Sequence, residues 1–237
     1  MSVSIIMPCY NESEVIENVV RKYYETIISK IEGSELIVID DCSNDITPTI
    51  LRRLQSELTA LRVLRRPVNG GYGKAVLTGY EAAVKEWIFL VDSDNQFDPR
   101  DFWSLYALKD GSNFILGFRR ERKDPLHRLF LSGMLRLVNF ALWGVWIRDV
   151  NCPFRLMERE LVTRCLNYID KESLIPNILI SVLAKKSCAF VEAPVTHSGR
   201  KTGVVSIRKW KLIKFAVCGF IQMVIFRIQI ILNRSKI

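Results

Sequence analysis

The sequence predicts an α/β protein with a mostly parallel open sheet and flanking helices. Two observations predict it. Short apolar runs alternate with longer segments of helical spacing from residue 3 to residue 91, and the apolar runs stop abruptly at polar clusters. Parallel strands covered on both faces read as continuous apolar runs of this kind, because neither side of the strand meets water.

The elements follow in order. Residues 3–7 (VSIIM) read as a buried strand closed by Pro8, and 13–31 place Val15, Ile16, Val19, Val20, Tyr23, Ile27 and Ile31 at helical intervals. Residues 35–39 (ELIVI) form a second strand that ends at Asp40-Asp41. A helix over 45–58 has Asp45 or Thr47 as its N-cap. A weaker strand at 61–65 leads to Asn69-Gly70-Gly71 and a helix over 73–86. Residues 87–91 (WIFLV) form a strand ending at Asp92. Beyond residue 112 the alternation breaks. Residues 113–118 read as a strand, 119–128 as a basic loop, 129–143 as an apolar helix and 149–155 as a loop. Helices over 158–168 and 173–187 and a strand over 188–195 complete a first unit, 1–204, and 205–237 form a basic, amphipathic helical tail.

The charge is distributed unevenly. The chain carries 34 Lys and Arg against 25 Asp and Glu, and the whole excess of +9 follows Glu192, the last acidic residue. A charge confined to one end points to an anionic partner for that end. The tail is also strongly apolar, which favours an anionic membrane surface, or a membrane subunit, over nucleic acid. Residues 215–226 give only 12 consecutive uncharged positions before Arg227. That is short of the ~20 needed to span a bilayer, so an interfacial helix is expected. Six scattered cysteines without close spacing indicate free thiols in a reducing compartment. The N-terminus has no basic segment leading into an apolar one. From these features the first unit is expected on the cytoplasmic side of a membrane.

In open parallel sheets, ligands bind beyond the carboxyl ends of the strands. Three such ends here carry Pro8-Cys9-Tyr10-Asn11-Glu12, Asp40-Asp41 and Asp92-Ser93-Asp94. Two carboxylates on alternate residues can share a hard divalent cation, Mg2+ or Mn2+, which would bridge a diphosphate; otherwise the segment is an acidic turn. Asp40-Asp41 can accept hydrogen bonds from a base or ribose, or serve only as a capping turn. Asn69-Gly70-Gly71-Tyr72-Gly73-Lys74 can cradle phosphate, or be a plain turn into a helix. Arg119, Arg120, Arg122, Lys123, His127 and Arg128, with Arg155 downstream, suit an anionic acceptor. So does the loop from His197 through Ser198-Gly199-Arg200-Lys201-Thr202-Gly203.

Taken in order, Pro8–Glu12, Asp40-Asp41-Cys42-Ser43, Asp92-Ser93-Asp94-Asn95-Gln96 and Asp149-Val150-Asn151-Cys152-Pro153-Phe154-Arg155 resemble family 2 glycosyltransferases of the GT-A fold. The likeness is greatest to dolichol-phosphate mannosyltransferases and bacterial polyprenyl-phosphate sugar transferases, and covers about residues 3–215. It implies an inverting, metal-dependent transfer of a sugar from a UDP- or GDP-linked donor to a polyprenyl phosphate, undecaprenyl or dolichyl. It also implies that Pro8, Tyr10, Glu12, Asp40, Asp41 and Asp92 hold the nucleotide, and that Asp92, Asp94 and Gln96 hold Mg2+ or Mn2+. By the same resemblance Arg119, Arg128, Ser132 and Arg200 face the acceptor phosphate, with Asp94, Arg119 and Arg128 the catalytic residues. Cys42 departs from the family by standing where glycine is usual, and Pro153 by standing where a smaller residue is. Many relatives also continue into two transmembrane helices, so attachment through the tail or a separate subunit is expected instead.

A phosphate monoester, with a second pKa near ~6, attacks without a general base. A hydroxyl acceptor, as in glycolipid or polysaccharide synthesis, would need one, and Asp149 and Glu158 are the candidates. A membrane-associated protein that binds nucleotide sugars without turnover is the third alternative.

Overall fold

A computed structural model describes residues 1–120, 126–199 and 209–232, with backbone only at 126–131 and 209–213. Seven strands form one sheet: β1 (Val3–Cys9), β2 (Glu35–Asp40), β3 (Leu61–Arg65), β4 (Trp87–Leu90), β5 (Phe114–Arg119), β6 (Arg155–Glu158) and β7 (Phe190–Val195). Their order across the sheet is β3-β2-β1-β4-β6-β5-β7. All described pairings are parallel except the two made by β6, which runs against β4 and β5.

The strands form where the sequence places apolar runs. Every residue of β1 and β2 is buried. Each fully buried Ile or Leu there contributes about 1.5–3 kcal/mol to folding. The helices are α1 (Ile16–Thr26), α2 (Thr47–Glu57), α3 (Tyr72–Ala82), α4 (Phe102–Tyr106), α5 (Leu126–Trp143), α6 (Arg159–Leu166), α7 (Pro176–Ser187) and α8 (Lys209–Leu232), with α5 packed on α8. Helix α3 lies directly on β1. A Cβ on Gly79 would come within 2.3 Å of the Ile6 side chain, so only glycine permits this approach.

Two expectations need correction, and the apolar length counted for the tail is extended. The segment 149–155 does not run as a loop straight into a helix, because Arg155–Glu158 inserts as β6 between β4 and β5. Four residues, RLME, with charges at both ends, carry no strand pattern of their own; the strand exists because its neighbours offer two open edges. The first helix is shorter than 13–31 and ends at Thr26, followed by a short 3-10 turn at Ile28–Lys30. The C-terminal helix continues through Arg227, whose guanidinium lies 5.2 Å over the Trp143 ring. Lys214–Leu232 is therefore long and apolar enough to cross a membrane, by length and composition.

Because β2, β1 and β4 are adjacent and parallel, their carboxyl ends share one edge of the sheet. The reversal at β6 brings the 149–154 loop to that same edge, while β5 delivers Arg119 and β7 delivers Thr196–Gly199 there. Among the described residues, one rim thus collects the loops after β1, β2 and β4, the 149–154 loop, Arg119 and Thr196–Gly199.

Left-handed backbone marks this rim. The non-glycine residues described with positive φ are Asn11 (54°), Cys42 (61°) and Asn95 (59°), one in each loop after β1, β2 and β4. Cys42 occupies the tight turn that glycine would usually make, with its N–H donating to the Asp40 carbonyl at 2.8 Å. A left-handed non-glycine residue costs about 1–2 kcal/mol, and glycine returns about 0.5–1 kcal/mol as unfolded-state entropy. Cys42→Gly is therefore expected to raise the unfolding free energy by about 0.5–1 kcal/mol, read as a higher urea midpoint at constant m. A lower midpoint would contradict the strain assigned to this turn.

Candidate active site

The loops after β1 and β2 are stitched together by their own polar groups. The Asn11 N–H donates to Ser43 Oγ at 2.9 Å, and the Asn44 N–H donates to Asn11 Oδ1 at 2.9 Å. The Glu12 N–H donates to Thr47 Oγ1 at 3.0 Å. Pro8 is buried at the end of β1, Glu12 is buried one turn on, and Tyr10 stands 36% exposed at the rim.

The two aspartates after β2 do different work. Asp41 is buried and both its oxygens are engaged. Oδ1 accepts from Arg66 Nη1 at 2.6 Å and the Gly70 N–H at 3.0 Å, and Oδ2 accepts from the Gly71 N–H at 2.7 Å. The glycine-loop amides thus bind a protein carboxylate rather than being offered to phosphate. Asp40 accepts the Ser43 N–H at 2.9 Å on Oδ1. Its Oδ2 is buried without a hydrogen-bond partner, with the Arg65 Nε at 3.5 Å. Of the pair, Asp40 is the one with acceptor capacity to spare.

After β4, Asp94 Oδ1 accepts the Gln96 N–H at 3.1 Å, folding the acidic segment into a compact turn. Asp92 Oδ1 is buried with no hydrogen-bond partner. Burial first, and then the Asp94 carboxylate, push Asp92 up to about 7; the Tyr72 hydroxyl, Arg119 and Arg155 act against this rise. Two carboxylates held together, one with an orphaned oxygen, form a donor set that fits a hard divalent cation. Among the described residues no group of three or more His, Cys, Asp or Glu is placed to hold a metal. The chain would then supply two carboxylates, and the remaining ligands would come from phosphate and water, as Mg2+ commonly takes them.

At the end of β5, Arg119 pairs bidentately with Asp149, Nε to Oδ2 at 2.7 Å and Nη2 to Oδ1 at 3.0 Å. Both side chains are nearly buried, at 14% and 7%. Ser132 of α5 lines one small pocket with Asp149, Arg136 and Arg148. A larger cleft of about 560 Å³ opens along Asp94 and Gln96, between Lys22 of α1 and the Thr196–Gly199 segment. That volume lies within the range of small-ligand sites.

The model of Glycosyl transferase family 2 matches residues 4–166. The chain belongs to this family. Undecaprenyl-phosphate 4-deoxy-4-formamido-L-arabinose transferase of Salmonella choleraesuis is 26% identical over 204 residues, which is 85% of this chain and 61% of that protein. The chain therefore spans less than two thirds of the length of the curated relatives it matches. Glucosyl-3-phosphoglycerate synthase from Mycobacterium tuberculosis, solved with Mn2+, UDP and glucosyl-3-phosphoglycerate, superposes with a TM-score of 0.69 at 19% identity, over 95% of this chain and 79% of that one. A mannosyltransferase from Pyrobaculum calidifontis, solved with GDP-Man and Mn2+, gives 0.59 at 22% identity, over 81% and 54%. These likenesses show the fold, which is GT-A, as the ordered motifs implied.

Within this family 2 fold, several candidate residues sit differently from what the sequence suggests. Gln96 donates its amide Nε2 to the Ser198 carbonyl at 2.9 Å, tying the acidic loop to the segment after β7. Arg155 does not join the basic cluster. It is fully buried, and it donates to the carbonyls of Cys152 (3.0 Å), Val150 (3.2 Å) and Asn177 (2.8 Å) and to Ser181 Oγ (3.0 Å). It holds the 149–152 turn from behind, and with it Asp149. Glu158 lies opposite Trp87, at the far end of β6 from the rim, and accepts from Asn113 at 2.9 Å. The side chains of Arg128 and Arg200, and those of Arg122 and Lys123, lie outside the described residues. Tyr72, which the sequence offers only within the possible phosphate-cradling loop, stands instead beside the acidic pair. Its ring is 41% exposed, but its hydroxyl reaches inward beside Asp92.

Proposed function

We propose that this family 2 glycosyltransferase moves a sugar from a UDP- or GDP-linked donor onto a polyprenyl phosphate at the cytoplasmic surface of a membrane. The observation that carries the proposal is the meeting, on one rim, of the Asp92–Asp94 pair, the Asp40 loop and the Arg119–Asp149 pair. In this scheme Pro8, Tyr10, Glu12 and Asp40 cradle the nucleoside. Asp41 acts indirectly, by fixing the glycine loop. Asp92 and Asp94, with Gln96 beside them, hold Mg2+ or Mn2+, which when bound offsets the charge gathering on the departing diphosphate. Arg119, with Ser132 and the Arg128 and Arg200 side chains, receives the acceptor phosphate.

A phosphate acceptor suits this rim better than a hydroxyl. Of the two candidate bases, Asp149 is committed to Arg119, and Glu158 stands at the opposite end of its strand. An already anionic phosphate needs no base, only guanidinium groups that orient it. The namesake substrate of the Salmonella relative is of this acceptor class. A panel of UDP- and GDP-sugars with undecaprenyl or dolichyl phosphate, scored for a labelled lipid product, tests the proposal. Transfer to at least one lipid phosphate is expected, and transfer only to hydroxyl acceptors would refute it.

Membrane attachment is assigned to α8, with α5 beside it. Helix α8 exposes Val217, Phe220, Ile221, Ile225, Ile228, Ile231 and Leu232, and only 17% of its most apolar window is buried. Helix α5 exposes Met134, Leu137 and Phe140. Monomeric soluble proteins rarely leave such rows uncovered. The middle of α8 also docks on the protein, where Met223 and Phe226 are buried and Phe226 packs on Trp143 at 5.6 Å. A helix held along its middle by the catalytic unit lies in the interface rather than through the bilayer. Phe220→Ser with Ile225→Ser is expected to weaken co-flotation with phosphatidylglycerol vesicles at least about tenfold. Unchanged flotation would remove α8 from that role.

A further inference from the structure

Helix α8 touches the fold at a point that leads to the donor site. The Leu174 N–H donates to Gln222 Oε1 at 3.0 Å. A Cβ on Gly219 would stand 3.3 Å from Ile175 Cγ2, so the helix backbone rests closely on the next residue. The opposite side of this short segment lies against the start of α3. A Cβ on Gly73 would meet the Ser173 carbonyl oxygen at 2.5 Å and that of Leu174 at 2.8 Å, and Lys74 pairs with Glu172. Residues 172–175 are thus sandwiched between α8 and the helix that begins at Tyr72.

The segment continues into Pro176 and Asn177, the first residues of α7. Asn177 is buried and joins both ends of α3 to the start of β6. Its Oδ1 accepts from Tyr80 Oη at 2.7 Å, its Nδ2 faces Tyr72 Oη at 3.4 Å, and its carbonyl accepts from Arg155 at 2.8 Å. Tyr72 follows Gly70 and Gly71, whose amides hold Asp41, and its hydroxyl stands beside Asp92. Arg155 carries the turn from which Asp149 reaches Arg119. A continuous run of packed backbone and of buried or partly buried hydrogen bonds therefore leads from α8 to the glycine loop and to Asp92. Energetic coupling between separated sites needs a physical connection of this kind.

We infer that Gln222 is a positioning residue for the donor site, acting through residues 173–177 on Tyr72, so that seating of α8 and nucleotide binding reinforce each other. The inference rests on the donor site proposed above. Because coupling is reciprocal, whatever seats α8 tightens nucleotide binding, and bound nucleotide seats α8. In a protein whose acceptor is lipid-borne, this would favour donor loading at the membrane surface.

The test is the affinity of the full chain for UDP and for GDP with Mn2+, by calorimetry, without lipid or acceptor. Gln222→Met keeps the volume and removes the acceptor for the Leu174 N–H, and is expected to weaken nucleotide binding about fivefold. Gln222→Glu keeps an acceptor and is expected to restore most of that affinity. Gly219→Ala, which presses on Ile175, enters the same segment independently and should weaken binding in the same direction. Gln229→Met, at an exposed position of the same helix, serves as the control and is expected to match the wild type. Thermal melts establish that each variant is folded. Wild-type affinity in folded Gln222→Met and Gly219→Ala would overturn the inference, as would an equal loss in Gln229→Met. Failure of the wild type to bind either nucleotide would instead overturn the donor site itself, and the inference with it.

Discussion

Asp94→Ala is expected to lower sugar transfer by at least about a hundredfold, the scale on which removing one electrostatic group from a charge-developing site acts. Asp94 is half of the carboxylate pair after β4, and its Oδ1 closes the turn over the Gln96 N–H. Its loss leaves Asp92 alone, with an oxygen that has no hydrogen-bond donor to hold it. The fold should survive, because Asp94 is partly exposed and the buried strand before it is untouched. Steady-state transfer assays with added Mn2+ read the effect, and a melting curve separates it from unfolding. Asp94→Ala with near wild-type kcat would remove the acid pair from catalysis.

The second large effect is expected at the Arg119–Asp149 pair. Arg119→Lys keeps the charge and loses the fork that meets Asp149 with two hydrogen bonds. At bidentate sites that exchange is not conservative. A drop in kcat/KM for the lipid phosphate of about a hundredfold is expected, mainly through KM, with donor affinity little changed. Asp149→Asn probes the same pair from the other side. It leaves a nearly buried guanidinium without its counter-charge, which costs about 3–5 kcal/mol when a buried pair is broken. Urea unfolding should register most of that loss. A different outcome, kcat abolished with stability and acceptor KM intact, would mark Asp149 as a general base and favour a hydroxyl acceptor.

Much of this architecture is legible in the sequence, for a physical reason. A parallel strand buried on both faces must be apolar throughout, so β1, β2 and β4 announce themselves, and so do the polar residues that end them. The rim is legible too, because parallel strands put their carboxyl ends together. Strand β6 is not, since four residues with Arg155 and Glu158 at the ends owe their conformation to neighbours remote in sequence. The role of Arg155 is likewise hidden. A buried arginine satisfied by carbonyls leaves no spacing pattern, and from the sequence it passes for one more cation near a basic loop.

Asp41 and Tyr72 illustrate the same limit inside the site. The sequence offers two adjacent aspartates and a glycine loop as separate candidates. Only the folded chain reveals that one aspartate is consumed in holding that loop. Tyr72 reads only as part of a possible phosphate-cradling loop until its hydroxyl is found beside Asp92. For α8, counting uncharged residues stops at Arg227, whereas the helix carries that guanidinium over the face of Trp143 and continues to Leu232.

The cation-assisted donor site is tested most directly by calorimetry of UDP and GDP binding to the wild-type chain, with Mn2+ and then with EDTA. Diphosphate binding is expected to tighten at least about tenfold with Mn2+, while the corresponding monophosphate, with fewer oxygens to share, should gain less. Equal affinity for the diphosphate with Mn2+ and with EDTA would contradict the assignment of Asp92 and Asp94 to a metal-bridged pyrophosphate.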